Sequence, residues 1–154
     1  MWWFVGLWLG DGWVEQRNRL GFSFNSLETD YIEKYKNIVT NLFGRSPSLA
    51  KDKGTCHEYH FCCQSLSEFL VKNFSKGAKN KNLPEWVKYM PHEYKLELLM
   101  GFLASDGCVT NKGISFVSIS EKLLLDMQDI LFSIGIISSL TLLRPAKQIQ
   151  DKFK

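Results

Sequence analysis

The chain has 154 residues, 45% of them hydrophobic and 14% aromatic, with a formal net charge of +3. This composition is typical of a globular protein, and so small a positive charge permits nucleic-acid binding without arguing for it. The four cysteines have no CxxC spacing, and Gly10-Asp11-Gly12 interrupts the apolar N-terminal run. We therefore expect reduced thiols in an intracellular compartment and no disulfide framework, signal peptide or membrane segment.

Two short apolar runs, residues 4–12 and 99–107, share one pattern and predict two similar helices, each ending in Asp-Gly. Small residues lie four positions apart in each run, and these are Gly6 with Gly10 and Gly101 with Ser105. Positions i and i+4 share a helix face, and small side chains there allow two helices to approach closely. If the two helices pack on these faces, Asp11 and Asp106 emerge close together at the same end.

This predicted carboxylate pair conflicts with local electrostatics. The C-terminal end of a helix is its negative pole, and two neighbouring carboxylates repel each other. Such conflicts are expected at functional sites, and a divalent cation would resolve this one. Hard oxygen ligands suit Mg²⁺, which takes one or two carboxylates together with phosphate and water. The alternative is that Asp-Gly only forms the turn after a buried helix, but two copies with the same small-residue face favour a metal site.

The residues between the two runs predict four strands and two helices. Alternation over residues 22–25 indicates a half-buried strand that follows a polar hairpin tip at residues 15–19. A helix capped by Ser26 or Thr29 runs to about Phe43, with Leu42 on its apolar face, and ends at Gly44. Strands are expected at 45–50 and 57–63, followed by a helix capped by Ser65. The result is a four-stranded antiparallel sheet with one face under helices and one face free.

The second half repeats the first. Asp106 follows Asp11 by 95 residues, and residues 113–116 match 21–24 at a spacing of 92. Residues 110–112 form a hairpin tip, Ser120 caps a helix that stops at Gly135, and 136–143 is expected as a third strand. We therefore expect an α+β fold with two pseudo-symmetric αββαββα-type halves, 1–92 and 93–154.

The second half ends before a counterpart of the fourth strand and last helix of the first half. Such a half leaves a sheet edge open and apolar positions uncovered, which folded proteins usually avoid. We therefore expect a sequence truncated at its C-terminus, poorly soluble or inactive alone and monomeric when complete.

At the two Asp-Gly runs the chain resembles the LAGLIDADG homing endonucleases. Residues 4–12 and 99–107 match the nine-residue signature of that family in register. The resemblance implies that Asp11 and Asp106 bind the catalytic metal, with Mg²⁺ as cofactor, and that Gly6 and Gly101 are the helix-packing glycines. It also implies site-specific double-strand cleavage of DNA, with each strand cut by a composite site drawn from both motifs and with the sheets forming a saddle over the duplex.

Basic residues on or beside the free sheet faces are candidates for contacts with double-stranded DNA. Phosphate contacts supply affinity, and side chains on a β-ribbon can read the major groove. The predicted DNA-binding residues are Arg17, Arg19, Arg45, Lys51, Lys53, Lys112 and Arg144. The alternative is a solvated sheet that carries these charges incidentally.

Residues 75–84 are polar and basic and predict a linker between the halves. One interpretation is a solvated connection. However, 77–84 also resembles a segment that precedes the second motif in intein-borne members of the family, in which a lysine two residues before an apolar-proline pair lies near the active site. Here that lysine is Lys81. A lysine near the scissile phosphate stabilises developing negative charge or positions water, so Lys81 is the third predicted catalytic residue.

Two other functions remain open for this fold. One is a maturase-like protein that binds intron RNA, and the other is a DNA-binding regulator that does not cleave. Retention of both Asp11 and Asp106 counts against the second alternative but does not exclude the first.

Overall fold

The computed structural model describes residues 1–142. The first half contains three helices, α1 (Trp2–Asp11), α2 (Thr29–Phe43) and α3 (Gln64–Phe74). Its four strands are β1 (Gly12–Val14), β2 (Arg19–Asn25), β3 (Ser48–Asp52) and β4 (Cys56–Cys62). Two 3₁₀ turns, Ala78–Asn80 and Glu85–Tyr89, lead to the second half. That half contains α4 (His92–Asp106), the hairpin of β5 (Gly107–Thr110) with β6 (Gly113–Phe116), and α5 (Glu121–Ser133).

The first sheet is antiparallel, with the strand order β1-β2-β4-β3. Its register pairs Phe22 with Tyr59 and Leu20 with Phe61, and all four side chains are buried against the helices. Because side chains alternate along a strand, the residues between them point away from the helices. The predicted four-stranded sheet with one covered and one free face is therefore confirmed.

Helices α1 and α4 pack side by side along the boundary between the two halves. Seven consecutive residues of α1, from Trp3 to Leu9, are buried. A helix that is apolar on all sides belongs inside a protein, and here α1 is enclosed by α4, by the first sheet and by the other helices. The α+β fold class with antiparallel sheets is confirmed.

The predicted third strand at 136–143 is wrong for its described part, since residues 136–142 form no strand. The strand order of the first sheet gives the reason. There β3 pairs only with β4, which lies between β3 and β2. The described part of the second half has a two-stranded sheet, β5-β6, and no counterpart of β4, so a strand equivalent to β3 has no neighbour to pair with. Leu143 and Arg144 lie outside the described residues.

Three local predictions also need correction. Helix α2 begins after Glu28, so the N-cap is neither Ser26 nor Thr29, which is already the first helical residue. Helix α3 begins after Cys63, so Ser65 is not its N-cap, and no side-chain cap forms at either helix. Leu42 is 54% exposed, because in the last turn of α2 it is Phe43 that packs against Phe4 and Phe61. By contrast, Ser120 caps α5 as predicted and accepts a hydrogen bond from the Leu123 N–H at 3.2 Å.

None of the described helices is long and apolar enough to cross a membrane.

Candidate active site

The two motif helices touch through their small residues. A Cβ atom added to Gly6 would lie 2.7 Å from the backbone nitrogen of Phe102, inside the other helix. A Cβ added to Gly101 would lie 2.9 Å from the backbone nitrogen of Leu7. Real Cβ atoms do not approach other atoms so closely, so the backbones of α1 and α4 are in direct contact at these two glycines.

The same contact brings the two aspartates together. A Cβ added to Gly10 would lie 2.5 Å from the Ser105 Cβ and 3.2 Å from the Cγ of Asp106. The carboxyl group of Asp106 therefore lies against the residue that precedes Asp11. The four small residues predicted to form the helix interface do meet there, and both aspartates lie at the last position of their helices.

Burial raises the pKa of both carboxyl groups, and repulsion by Asp106 adds to the shift of Asp11. The pKa of Asp11 is raised from 3.8 to about 6, first by burial and then by the negative charge of Asp106. The pKa of Asp106 is also raised, chiefly by burial. Neither carboxylate accepts a hydrogen bond from a protein side chain among those of the described residues. Two partly buried, mutually repelling carboxylates with free oxygens suit a hard divalent cation.

Lys81 lies beneath this site, almost completely buried. Its Nζ donates hydrogen bonds to the carbonyl oxygens of Trp8 (2.6 Å), Gly10 (3.1 Å) and Gly12 (2.7 Å). The ammonium also lies 4.8 Å from the centroid of the Trp8 ring. Cations stabilise the negative C-terminal end of a helix, and Lys81 does this for α1. Burial lowers the pKa of Lys81 to about 8, although both aspartates act in the opposite direction.

A cleft of about 280 Å³ opens beside Asp11. Its walls include the side chains of Trp8, Trp13, Lys76 and Lys81. The cleft gives a solvent path to the carboxylate from the side of the first sheet, and Lys76 adds an exposed positive charge at its rim.

The linker is also attached to the second half. The Ser120 hydroxyl donates a hydrogen bond to the backbone oxygen of Lys81 at 2.6 Å. The backbone N–H of Leu83 donates to Asp126 Oδ2 at 2.9 Å. All four residues of these two hydrogen bonds are buried. Residues 81–83 are therefore fixed to α5 and are not a solvated connection.

On the free face of the first sheet, the predicted cations are paired with acids. Glu58 is buried between Lys51, at 3.3 Å, and Lys53. Both lysines lower the pKa of Glu58. Arg19 makes an ion pair with Glu15 across the β1–β2 hairpin. Three of the seven predicted DNA-binding residues are thus paired with two neighbouring carboxylates.

Beside these pairs, Trp13 covers His60. The Trp13 indole stands edge-on to the His60 ring with centroids 5.5 Å apart, and its Nε1 donates to Glu15 at 3.0 Å. A Cβ at Gly21 would lie 2.5 Å from Trp13 Cζ2, so the indole rests directly on the Gly21 backbone. His60 is 6% exposed, and its two ring nitrogens have no hydrogen-bond partner among the described residues.

Three of the other four predicted DNA-binding residues lie in the described part of the chain, and all three are exposed. Arg17 lies at the tip of the first hairpin with a φ of 59°, and Lys112 lies at the tip of the second. Arg45 lies between α2 and β3. Arg144 is outside the described residues. The structure therefore brings Lys81 to the aspartates, whereas Arg17 and Lys112 are exposed at hairpin tips.

The chain is similar in sequence and in structure to known proteins. Residues 93–149 match the family described as LAGLIDADG-like domain. This match covers most of the second half and does not include the first motif. The chain is also similar in structure to the homing endonuclease I-DmoI in complex with DNA and Mn, with a TM-score of 0.69 and 15% identity over 93% of this chain and 81% of I-DmoI. This similarity shows that the chain has the LAGLIDADG fold of I-DmoI.

Similar sequences occur inside longer proteins. The ATP-dependent DNA helicase Hel308 of Thermococcus kodakarensis is 27% identical over 88% of this chain and 13% of its own length. A DNA polymerase of Thermococcus hydrothermalis is 26% identical over 91% of this chain and 9% of its length. Protein MJ1054 of Methanocaldococcus jannaschii is 26% identical over 88% of this chain. The chain spans 17% of the length of MJ1054, so it corresponds to a small part of each of these relatives.

Sequence reasoning missed Glu58, Ser120 and Asp126 as parts of these arrangements. One signal was present in α5, where Asp126 falls between Leu123 and Ile130 on the apolar face of the helix. A carboxylate in that position needs a buried donor, which is the Leu83 N–H. Ser120 was recognised as a helix cap, but its second hydrogen bond depends on the path of a loop 39 residues earlier.

Proposed function

We propose that this chain is a site-specific DNA endonuclease that makes a metal-dependent double-strand break. The observation that carries the proposal is the pair Asp11 and Asp106, placed at matching ends of two helices in backbone contact. Their burial raises both pKa values, which makes a cation a favourable partner. The LAGLIDADG-like domain and the likeness to I-DmoI support this function. The structures of I-DmoI include complexes with Mn and with Ca.

In this proposal Asp11 and Asp106 hold the metal, with Mg²⁺ as the resident ion. A bound divalent cation would activate water and stabilise the leaving oxygen of the phosphodiester. The two carboxylates would set the position of this cation relative to the phosphodiester. Gly6, Gly10, Gly101 and Ser105 keep them together, because larger residues would separate the helices. Lys81 acts from below the site on the end of α1, and its ammonium moderates the repulsion between the carboxylates.

The proposed substrate is duplex DNA lying across the free faces of the two sheets. Arg17, Arg45 and Lys112 project from edges and hairpin tips, where they would contact phosphates. Three further cations would leave their carboxylate partners and contact DNA phosphates when the duplex binds. These are Arg19, Lys51 and Lys53. We propose that the protein acts as a monomer inside the cell, and that residues 1–92 and 93–154 form the two halves over the two strands.

The test is to incubate the protein with a plasmid library of random inserts and Mg²⁺ and to sequence the ends that appear. We expect both DNA strands to be cut, and the cut inserts to share one recognition sequence. Asp11→Asn and Asp106→Asn should abolish cleavage while duplex binding stays within about twofold, because these carboxylates serve the metal rather than phosphate contacts. Full cleavage by either variant would contradict the proposal. Binding of structured intron RNA without any DNA cleavage would favour the maturase-like alternative.

A further inference from the structure

The ammonium group of Lys81 has no donor left for a substrate. A lysine ammonium carries three N–H donors, and all three are used by the carbonyl oxygens of Trp8, Gly10 and Gly12. With Lys81 3% exposed, this side chain acts on Asp11 through its charge and through the position of the α1 end, and not through a hydrogen bond to a substrate. What fixes the backbone of Lys81 therefore also fixes Asp11.

The backbone of Lys81 is fixed by the second half of the chain. The Ser120 hydroxyl donates to the Lys81 carbonyl oxygen at 2.6 Å and at the same time accepts from the Leu123 N–H. Two residues later in the linker, the Leu83 N–H donates to Asp126 at 2.9 Å. These contacts connect α5 to the end of α1 through one short, buried segment.

We propose that Ser120 and Asp126 are positioning residues for Asp11, acting from the second half through the linker. The proposal rests on the endonuclease function proposed above. If the proposal is correct, the position of Asp11 depends on α5, whereas the position of Asp106 depends on its own helix, α4. The two aspartates are therefore positioned in different ways, although the motifs that carry them are repeats.

The chain offers matched controls on the same helix. Ser133, at the other end of α5, accepts a hydrogen bond from Lys95 Nζ and donates one to the Ile130 carbonyl, and neither bond involves the linker residues 81–83. Asp129, an exposed residue one turn after Asp126, pairs with Lys88. The informative pairs are thus Ser120→Ala against Ser133→Ala and Asp126→Ala against Asp129→Ala. Ser120→Thr keeps the hydroxyl and should restore the wild-type behaviour.

The first readout needs neither metal nor DNA. Hydrogen–deuterium exchange of a peptide covering residues 8–14 should become about fivefold faster or more in Ser120→Ala and Asp126→Ala, because local opening is reported by exchange. Exchange in residues 20–24 of the sheet should not change. Ser133→Ala and Asp129→Ala should leave residues 8–14 at the wild-type rate. A loss limited to overall melting temperature would indicate a purely structural role and would overturn the proposal.

The second readout is the affinity for Mn²⁺ alone, measured by electron paramagnetic resonance. We expect Ser120→Ala and Asp126→Ala to bind Mn²⁺ several-fold more weakly than their controls, with kcat lowered and KM unchanged if the protein cleaves DNA. If Ser120→Ala does not fold, Ser120→Gly removes the hydroxyl at little cost to the helix N-terminus. Faster exchange with no DNA cleavage would refute the endonuclease function and leave the positioning intact. Wild-type exchange and Mn²⁺ affinity in both variants would refute the positioning.

Discussion

Gly6 and Gly101 face each other across the α1–α4 contact, each where the other helix leaves no room for a side chain. A Cβ on Gly6 would come closest to the carbonyl oxygen of Leu98, and one on Gly101 to that of Trp3. Each glycine thus meets backbone rather than a movable side chain. The separation of the two helices, and with it the separation of Asp11 and Asp106, is set by these two missing side chains.

Gly6→Ala and Gly101→Ala should therefore each destabilise the protein. In an unobstructed helix, replacing glycine by alanine is favourable by roughly 0.5–1 kcal/mol. Here overpacking against backbone should reverse the sign and cost about 1–3 kcal/mol, and Gly6→Leu or Gly101→Leu should cost more. Urea denaturation at pH 7 measures the effect.

Ser105→Ala is the control for these variants because it lies in the same interface and makes the side chain smaller. Its hydroxyl bonds to carbonyl groups of its own helix, so its loss should change stability by less than about 1 kcal/mol. Stabilisation by Gly6→Ala would show that the helices are free to separate.

The sequence predicts those parts of the site that depend on short motifs, above all motifs that occur twice. It does not predict the parts that depend on contacts between distant segments. The small-residue spacing and the two Asp-Gly ends are periodic and occur twice, so the helix pair and its carboxylates follow from the sequence. The strand order β1-β2-β4-β3 does not follow from the sequence. It depends on the pairing of β2 with β4, which are separated in the chain by α2 and β3. That order is why residues 136–142 are not a strand despite their apolar composition.

The partners of Lys81 and Glu58 were equally inaccessible from sequence. A lysine in a polar linker and a glutamate on a strand look solvated, since charged residues usually are. Only the path of the chain puts Lys81 under the carbonyl groups of α1 and Glu58 between two lysines. Burial of a charge is decided by tertiary structure, which a pattern of single residues does not encode.

The raised pKa of Asp11 predicts the pH dependence of metal-free stability. Its pKa is about 6 in the folded protein and near 3.8 when unfolded. Between these values the folded state binds the proton more tightly, so stability falls as pH rises from about 4 to 6. Asp11→Asn removes the buried charge and should make the metal-free protein more stable at pH 7.5, by about 1–3 kcal/mol.

Thermal unfolding in EDTA at pH 5 and pH 7.5 tests this dependence. The wild-type protein should lose stability at the higher pH relative to Asp11→Asn, and added Mg²⁺ should restore part of it if the carboxylates bind the metal. Asp129→Asn, an exposed aspartate on α5, serves as control and should follow the wild-type curve. An Asp11→Asn protein less stable than wild type at pH 7.5 would show that the carboxylate makes a favourable contact.

Gly21→Ala should uncover His60. The added methyl group occupies the space of the Trp13 ring, so the indole must move away from the sheet. Burial lowers the pKa of His60 in the native protein. Its exposure should raise that pKa towards 6.5, since solvent stabilises the imidazolium form. Proton NMR titration of the ring resonances measures the pKa, and His57 and His92 in the same spectra are internal controls. An unchanged His60 titration would mean that Trp13 does not set its burial.

Glu58→Gln should increase non-specific affinity for duplex DNA. The carboxylate holds Lys51 at 3.3 Å and also pairs with Lys53, so removing its charge frees two cations on the free face of the first sheet. Each new phosphate contact steepens the salt dependence of the binding constant by about 0.9 in log–log slope, so two contacts should add close to 2. Fluorescence anisotropy with a random-sequence duplex at several salt concentrations measures that slope.

Glu33→Gln is the matched control for Glu58→Gln, because it makes the same change of net charge on an exposed position of α2, on the helical side of the sheet. If both variants tighten binding equally, the effect comes from net charge alone. If only Glu58→Gln steepens the slope, Lys51 and Lys53 are phosphate contacts that Glu58 restrains. This result would also place the DNA at the free face of the first sheet, since both lysines pair with Glu58 on that face.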